Sequence, residues 1–269
     1  MTRLLAALLG RLPIGWLQLT HKPGRMAAAL AGVAFANVLV MVQLGILGAL
    51  NGTVAVAYAP FRADIFISSS DANTMTDGSP LSRRALYLAL ADPQVEAAAP
   101  LYLGNVDWTR QDGSIATMIV YGLPVEAQRF AGDLIRVGLP SLSLPDTALI
   151  DRGTRAADEA ALALVSPEAP LRFEANGRTV TATGNFDLGG SFTADGSLAV
   201  SDQTFLRLFP SRIAGTPSHI LVDVVPGADP AEVIARLSAR LASEPVQVRS
   251  LDQAKADDLT YQTTQRPTG

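Results

Sequence analysis

A chain of 269 residues, 48% of them hydrophobic and none of them cysteine, has room for one membrane span plus one or two folded units, and those units must hold together without disulfides. Its formal net charge of −4 is unevenly spread, because residues 1–25 hold Arg3, Arg11, Lys22 and Arg25 and no acid, which leaves 17 of the 21 basic side chains against all 25 acidic ones, a balance of −8. An acidic body without a basic patch argues against nucleic-acid binding.

In the first twenty residues Leu4, Leu5, Leu8, Leu9, Leu12, Trp16 and Leu19 recur at helical spacing, with Arg3 and Arg11 on other faces and Pro13 interrupting the pattern. Residues 1–25 are therefore expected to form a cytoplasmic amphipathic segment along the inner leaflet, or a leader without a role of its own. No charged residue occurs between Arg25 and Arg62. The 25 residues Met26 to Leu50 would make a helix of roughly 37 Å, enough to cross a hydrocarbon layer of about 30 Å. A signal sequence and a wholly buried soluble helix are the alternatives; Ala57-Tyr58-Ala59 resembles a cleavage site, but the apolar core of a signal would be shorter. Residues 26–59 thus read as a retained transmembrane helix and its extension, ending at Pro60. Basic residues at its start hold that end in the cytoplasm and place the body on the far side.

Within the span, Ala28, Gly32 and Ala36 form a small-xxx-small series, and Gly45 with Gly48 or Ala49 forms a second smooth patch. Small residues let another helix approach closely, and Asn37 and Gln43 can hydrogen-bond across such a contact. Gly32, Ala36, Asn37 and Gln43 are the candidate helix-packing residues.

Residues 60–249 read as a mixed α/β body. Strands are expected at Asp64 to Ser68, Val95 to Trp108, Ser114 to Tyr121, Thr147 to Asp151, Leu198 to Val200, His219 to Val225 and Val246 to Arg249. A turn at Gln111-Asp112-Gly113 joins the second and third of these, and Asn176-Gly177 between Leu171 to Ala175 and Thr179 to Phe186 marks a tight hairpin. Helices are expected from a Ser79 cap through Ala91, over Pro124 to Phe130, over Arg155 to Leu164, after a Ser201 cap, and over Asp229 to Ala242. Strand–helix–strand units at both ends suggest an α+β fold: two βαβ-type halves with an inserted β-rich subdomain. Residues 250–269 begin as a capped helix and end in polar Arg266-Pro267-Thr268-Gly269.

The sequence carries no motif for catalysis or metal binding. Lys22 and Lys255, followed by Pro23 and Ala256, are the only lysines, so no phosphate-binding GxxxxGK[ST] loop exists. Two histidines, His21 and His219, and no cysteine leave no transition-metal set. No GxSxG accompanies His219, which reads as structural or solvent-facing at a strand edge after Pro217. Asp257-Asp258 and Asp158-Glu159 are adjacent pairs that read as solvated faces. The stretch GNFDLGGSFTADG, Gly184 to Gly196, reads as a flexible hairpin connection, with close backbone approach to a ligand as the alternative. Neither an enzyme nor a cofactor is expected.

WLQLTHKPGRMAAALAGVAFANVLVMVQLG resembles the first membrane segment of DevC-type ABC exporter permeases, relatives of the MacB and FtsX families, and ADIFISSS, SRRALYLAL, VEAAAPLYLG, ALIDRG, GNFDLGGSFTADGSLAVSDQTFLRLFP and PGADP follow that pattern in order. The resemblance implies an inner-membrane subunit with four spans, a MacB-like periplasmic domain between the first two, a cytoplasmic ABC ATPase, a periplasmic membrane fusion (adaptor) protein, an outer-membrane duct reached indirectly, and a homodimer. It carries no catalytic residues. YQTTQRPTG resembles the lead into the second span, so the chain corresponds to the N-terminal portion of such a permease, with the helix in 250–269 leading toward a missing second span. A single-span, membrane-anchored periplasmic binding or scaffold protein without transport activity is the alternative.

Overall fold

A computed structural model describes residues 21–110, 113–155, 157–191 and 194–264. Residues 1–20 of the amphipathic segment expected over 1–25, the turn residues Gln111 and Asp112, and the polar end of the tail lie outside the described residues. The chain divides into two compact units, Met1–Ala49 and Leu50–Gly269.

Helix α1, Pro23–Tyr58, is 36 residues long. Within its stretch Pro23–Gly48 the most apolar window has a mean hydropathy of 2.2 and none of that window is buried, so Leu30, Phe35, Met41 and Leu44 stand on open faces. Among the described residues this is the one helix long and apolar enough to cross a membrane. The helix stops at Tyr58, just before Pro60, whose ring cannot continue it.

In the second unit the two ends of the chain interlock. Strand β1 (Ile65–Ser69), helix α2 (Arg83–Leu90) and strand β2 (Val95–Thr109) form one half, and β8 (His219–Val224), α6 (Pro230–Arg240) and β9 (Val246–Ser250) form the other. Their strands lie in the order β2-β8-β1-β9, every neighbouring pair antiparallel, with Phe66 opposite Leu221 on one side and Arg249 on the other. Each half is thus a split βαβ unit that holds a strand of the other half in its gap. All five residues of β1 are buried because both faces are covered. Ile65 and Ile67 meet α2 and α6 through Ala85, Ala89, Val233 and Leu237. Phe66, one step along the pleat, faces the opposite cluster with Val54 and Tyr58 from the last turns of α1 and Leu251 and Ala254 from α7 (Leu251–Thr264).

The β-rich insertion closes on itself. Strand β2 runs on past the first sheet and pairs with β3 (Ile115–Gly122); β3 lies parallel to β7 (Gly196–Val200), β7 antiparallel to β4 (Thr147–Asp151), β4 parallel to β6 (Arg178–Phe186), and β6 antiparallel to β5 (Leu171–Ala175). Trp108 opposite Ala175 returns the ring to β2, giving a six-stranded closed sheet. Alternate residues, among them Met118, Val120, Ile150, Val180 and Leu198, fill it, and Phe205 and Leu208 of α5 (Asp202–Leu208) join them. Ile119, Tyr121, Leu149 and Ala199 point the other way, toward Phe130, Ile135, Leu139 and Leu142 in the segment that includes helix α3 (Asp133–Arg136). The α+β expectation of two βαβ-type halves with a β-rich insertion describes this architecture.

Three local expectations are corrected. Ser79 does not cap α2: its hydroxyl donates to Asp71 Oδ2 at 2.6 Å, and Leu81 donates its amide to the Pro217 carbonyl, which keeps the chain extended. Ser82 is the cap, its Oγ accepting from the Ala85 amide, so α2 begins at Arg83. The helix expected over Pro124 to Phe130 shrinks to a 3-10 turn at Gln128–Phe130. The one expected from Arg155 is α4, Glu159–Ala163, capped by Asp158, because Asp151 and Thr154 take the preceding residues into a turn. The hairpin stands as read: Asn176 and Gly177 have φ of 51° and 69°.

Candidate functional site

The four candidate packing residues all lie on exposed positions of α1. At about 100° per residue, Gly32, Ala36 and Gln43 fall within about 40° of one another, and Ala28 lies beside them. Asn37 falls roughly 140° from Gly32, on the side of Gly45 and Gly48. The helix therefore brings three of the four together and sets Asn37 apart. A Cβ at Gly32, Gly45 or Gly48 would meet nothing within 4 Å, so both smooth strips are open to another helix.

A second site, unforeseen in the sequence, lies where α1 ends. Asp258 on α7, read from its neighbour Asp257 as part of a solvated face, is instead 2% exposed. Leu251, Ala254 and Asp258 share one face of α7, and that face is the one seated on the sheet. Asp258 Oδ2 accepts the Met75 amide at 2.9 Å and the Tyr58 hydroxyl at 3.4 Å, and Oδ1 accepts Gln262 Nε2 at 2.6 Å. Burial, reinforced by Asp77, holds the carboxyl above the usual aspartate range against those donors. Asp257 faces outward and pairs with Arg249 at 2.9 Å; the same guanidinium donates to Ser68 Oγ at 3.0 Å.

His219 belongs to this cluster and is neither at an open edge nor in solvent. It begins β8, an interior strand, is 2% exposed, and stacks against Phe66 with ring centroids 4.6 Å apart. Nε2 lies 2.8 Å from the Met75 carbonyl, which can only accept, so Nε2 carries the proton. Burial, with Arg249 adding to it, lowers the imidazole pKa to about 4.

The glycine-rich stretch is a crossover and not a hairpin connection, since β4 stands between β6 and β7. Its backbone is pinned by Asp151, which is fully buried: Oδ1 accepts from Gly153, Leu188 and Gly189 at 3.0 to 3.1 Å. At the far side the Asp195 carbonyl accepts the Arg155 amide at 2.8 Å. A separate open cleft of about 220 Å³ lies between α2 and α5, lined by Leu86, Pro100, Tyr102, Asp202 and Leu206. Asp202 is half-buried there, and desolvation raises its pKa. Among the described residues no group of three or more His, Cys, Asp or Glu is placed to hold a metal ion.

No family model matches the sequence, and no curated protein matches it. Solved structures of similar shape exist. The periplasmic region of MacB from Actinobacillus actinomycetemcomitans superposes with a TM-score of 0.48 at 13% identity, covering 76% of this chain and 94% of that one. The extracellular domain of the noncanonic ABC-type transporter YknZ from Gram-positive bacteria gives 0.44 at 12% identity, covering 70% and 98%. The chain is similar to these transporter domains.

Proposed function

We propose that the chain is the membrane-anchored permease component of a MacB/DevC-like ABC exporter, carrying its first span and its periplasmic domain. On this reading a partner ATPase in the cytoplasm hydrolyses ATP, the spans carry the movement outward, and the periplasmic domain drives cargo through an adaptor protein toward an outer-membrane duct. The chain works as a homodimer in the inner membrane, and the open strips of Gly32, Ala36 and Gln43 and of Asn37 pack its span against other helices. It does no covalent chemistry itself.

The observation that carries the reading is the order of the motifs along the body, from ADIFISSS through SRRALYLAL and ALIDRG to PGADP. Each falls on an element with a part in the fold: β1, α2, β4 and the cap of α6. Val54 and Tyr58, in the last turns of α1, belong to the second unit and are buried in its core.

The test is co-purification of the complete gene product, tagged and extracted in mild detergent from its native cell, with an ABC ATPase and a periplasmic adaptor. Both should be retained. Recovery of the folded chain with neither would overturn the exporter reading and leave the single-span scaffold.

A further inference from the structure

Between β1 and α2 the chain makes a loop, residues 70–79, that lies as a strap against α7 and the start of β8. It closes on itself: Ser79 and Asp71 bond through both backbone and side chain, and Asp77 Oδ1 accepts the Asn73 and Thr74 amides at 2.8 Å each. Gly78 has φ of 103°, and a Cβ there would stand 2.6 Å from that of Ala72. Gln247 of β9 holds its start through the Ser69 and Ala72 carbonyls.

The middle of the strap is fastened at one residue. Met75 has a buried side chain, an amide that donates to Asp258 on α7 at 2.9 Å, and a carbonyl that accepts from His219 on β8 at 2.8 Å. The carboxylate that receives this amide also receives Tyr58, the last residue of α1. Asp258 therefore joins the end of α1, the strap and α7 at a single buried group, and most of the strap's other side chains, Asp71, Asn73, Thr76 and Ser79 among them, face outward or lie part-buried.

We propose that Met75 is a clasp through which the seating of α7 sets the order of the strap 70–79. When α7 lifts, Asp258 leaves with it, the Met75 amide loses its acceptor, and the strap opens on the surface. The clasp is a property of this chain; its use, delivering helix movement to a surface loop of the second unit, rests on the exporter reading, in which α7 leads to the next span. Asp258 acts here as a positioning residue.

The test is peptide-level hydrogen exchange of the full chain in lipid nanodiscs. In Asp258→Ala the 70–79 amides should exchange about 10- to 100-fold faster, the ratio that loss of a charge-assisted hydrogen bond supports, while β1 and β8 keep their protection. Asp258→Asn, which retains an acceptor, should stay within about threefold of wild type. Ala254→Leu alters no clasp atom but overfills the seat of α7, and should open α7 and the strap together. Unchanged strap protection in Asp258→Ala, equal loss throughout the sheet, or an Ala254→Leu protein with α7 open and the strap closed would each overturn the proposal. These outcomes are read without ATPase or adaptor, so a failed co-purification bears on the exporter reading and leaves the clasp to be judged here.

Discussion

His219 and Asp258 bracket Met75, and their titrations push stability in opposite directions. The folded pKa of His219, about 4, lies below its unfolded value near 6.5. Its contribution is therefore fully present above about pH 6.5 and is lost as pH falls toward 4, on the order of 3 kcal/mol if the whole difference is expressed. Asp258 has a raised folded pKa, so its contribution is present in acid and is lost as pH rises through that value. His219→Gln keeps an N–H for the Met75 carbonyl and cannot charge. Its melting temperature should vary less than that of wild type between pH 6.5 and 4, and an unchanged slope would remove His219 from the acid response. Asp151 makes a plainer case. Asp151→Ala leaves the Gly153, Leu188 and Gly189 amides without their acceptor, and a loss of about 2–4 kcal/mol in urea unfolding is expected. Neither aspartate was legible as buried. Asp258 sits beside an exposed acid, and Asp151 lies in a turn-like Asp-Arg-Gly; which carboxylate goes inside is decided by amides from distant segments.

At the scale of elements, sequence and structure agree where the deciding contacts are local. Asn176-Gly177 dictates its hairpin through positive φ, Ser201 and Asp229 cap their helices, and 36 residues without a strong breaker make α1. Agreement fails where a distant partner captures a cap: Asp71 takes the Ser79 hydroxyl and moves the start of α2 to Ser82. For α1 the helix itself sorts the candidate residues into two strips. Gly32→Leu should then weaken association of the full chain in detergent, read by sedimentation or crosslinking, by roughly 1–2 kcal/mol if the Gly32, Ala36 and Gln43 strip is a packing face. Phe35→Ala and Val42→Ala, exposed on the helix away from both strips, should change it less. Equal effects from all three would mean that the smooth strip has no special place in packing.

Over the whole molecule, the first and last strands of the second unit are neighbours: β1 lies between β8 and β9, more than 150 residues later in the chain. The sheet therefore cannot close until β8 and β9 are made, and the six-stranded ring formed by β2 to β7 must fold as an insertion within it. The βαβ units were legible because each is short; the ring was not, since four of its six pairings join strands that do not follow one another. The second unit closes this long-range topology with no disulfide to assist, because the chain has no cysteine. That same absence supplies the test of orientation. A single cysteine at Val137, 92% exposed in the second unit, should react with a membrane-impermeant maleimide in intact spheroplasts. One at Lys22, before the apolar stretch, should react only after the membrane is opened. The reverse pattern would put the acidic unit in the cytoplasm, and with it would fall the exporter reading, since an adaptor outside could no longer reach the domain.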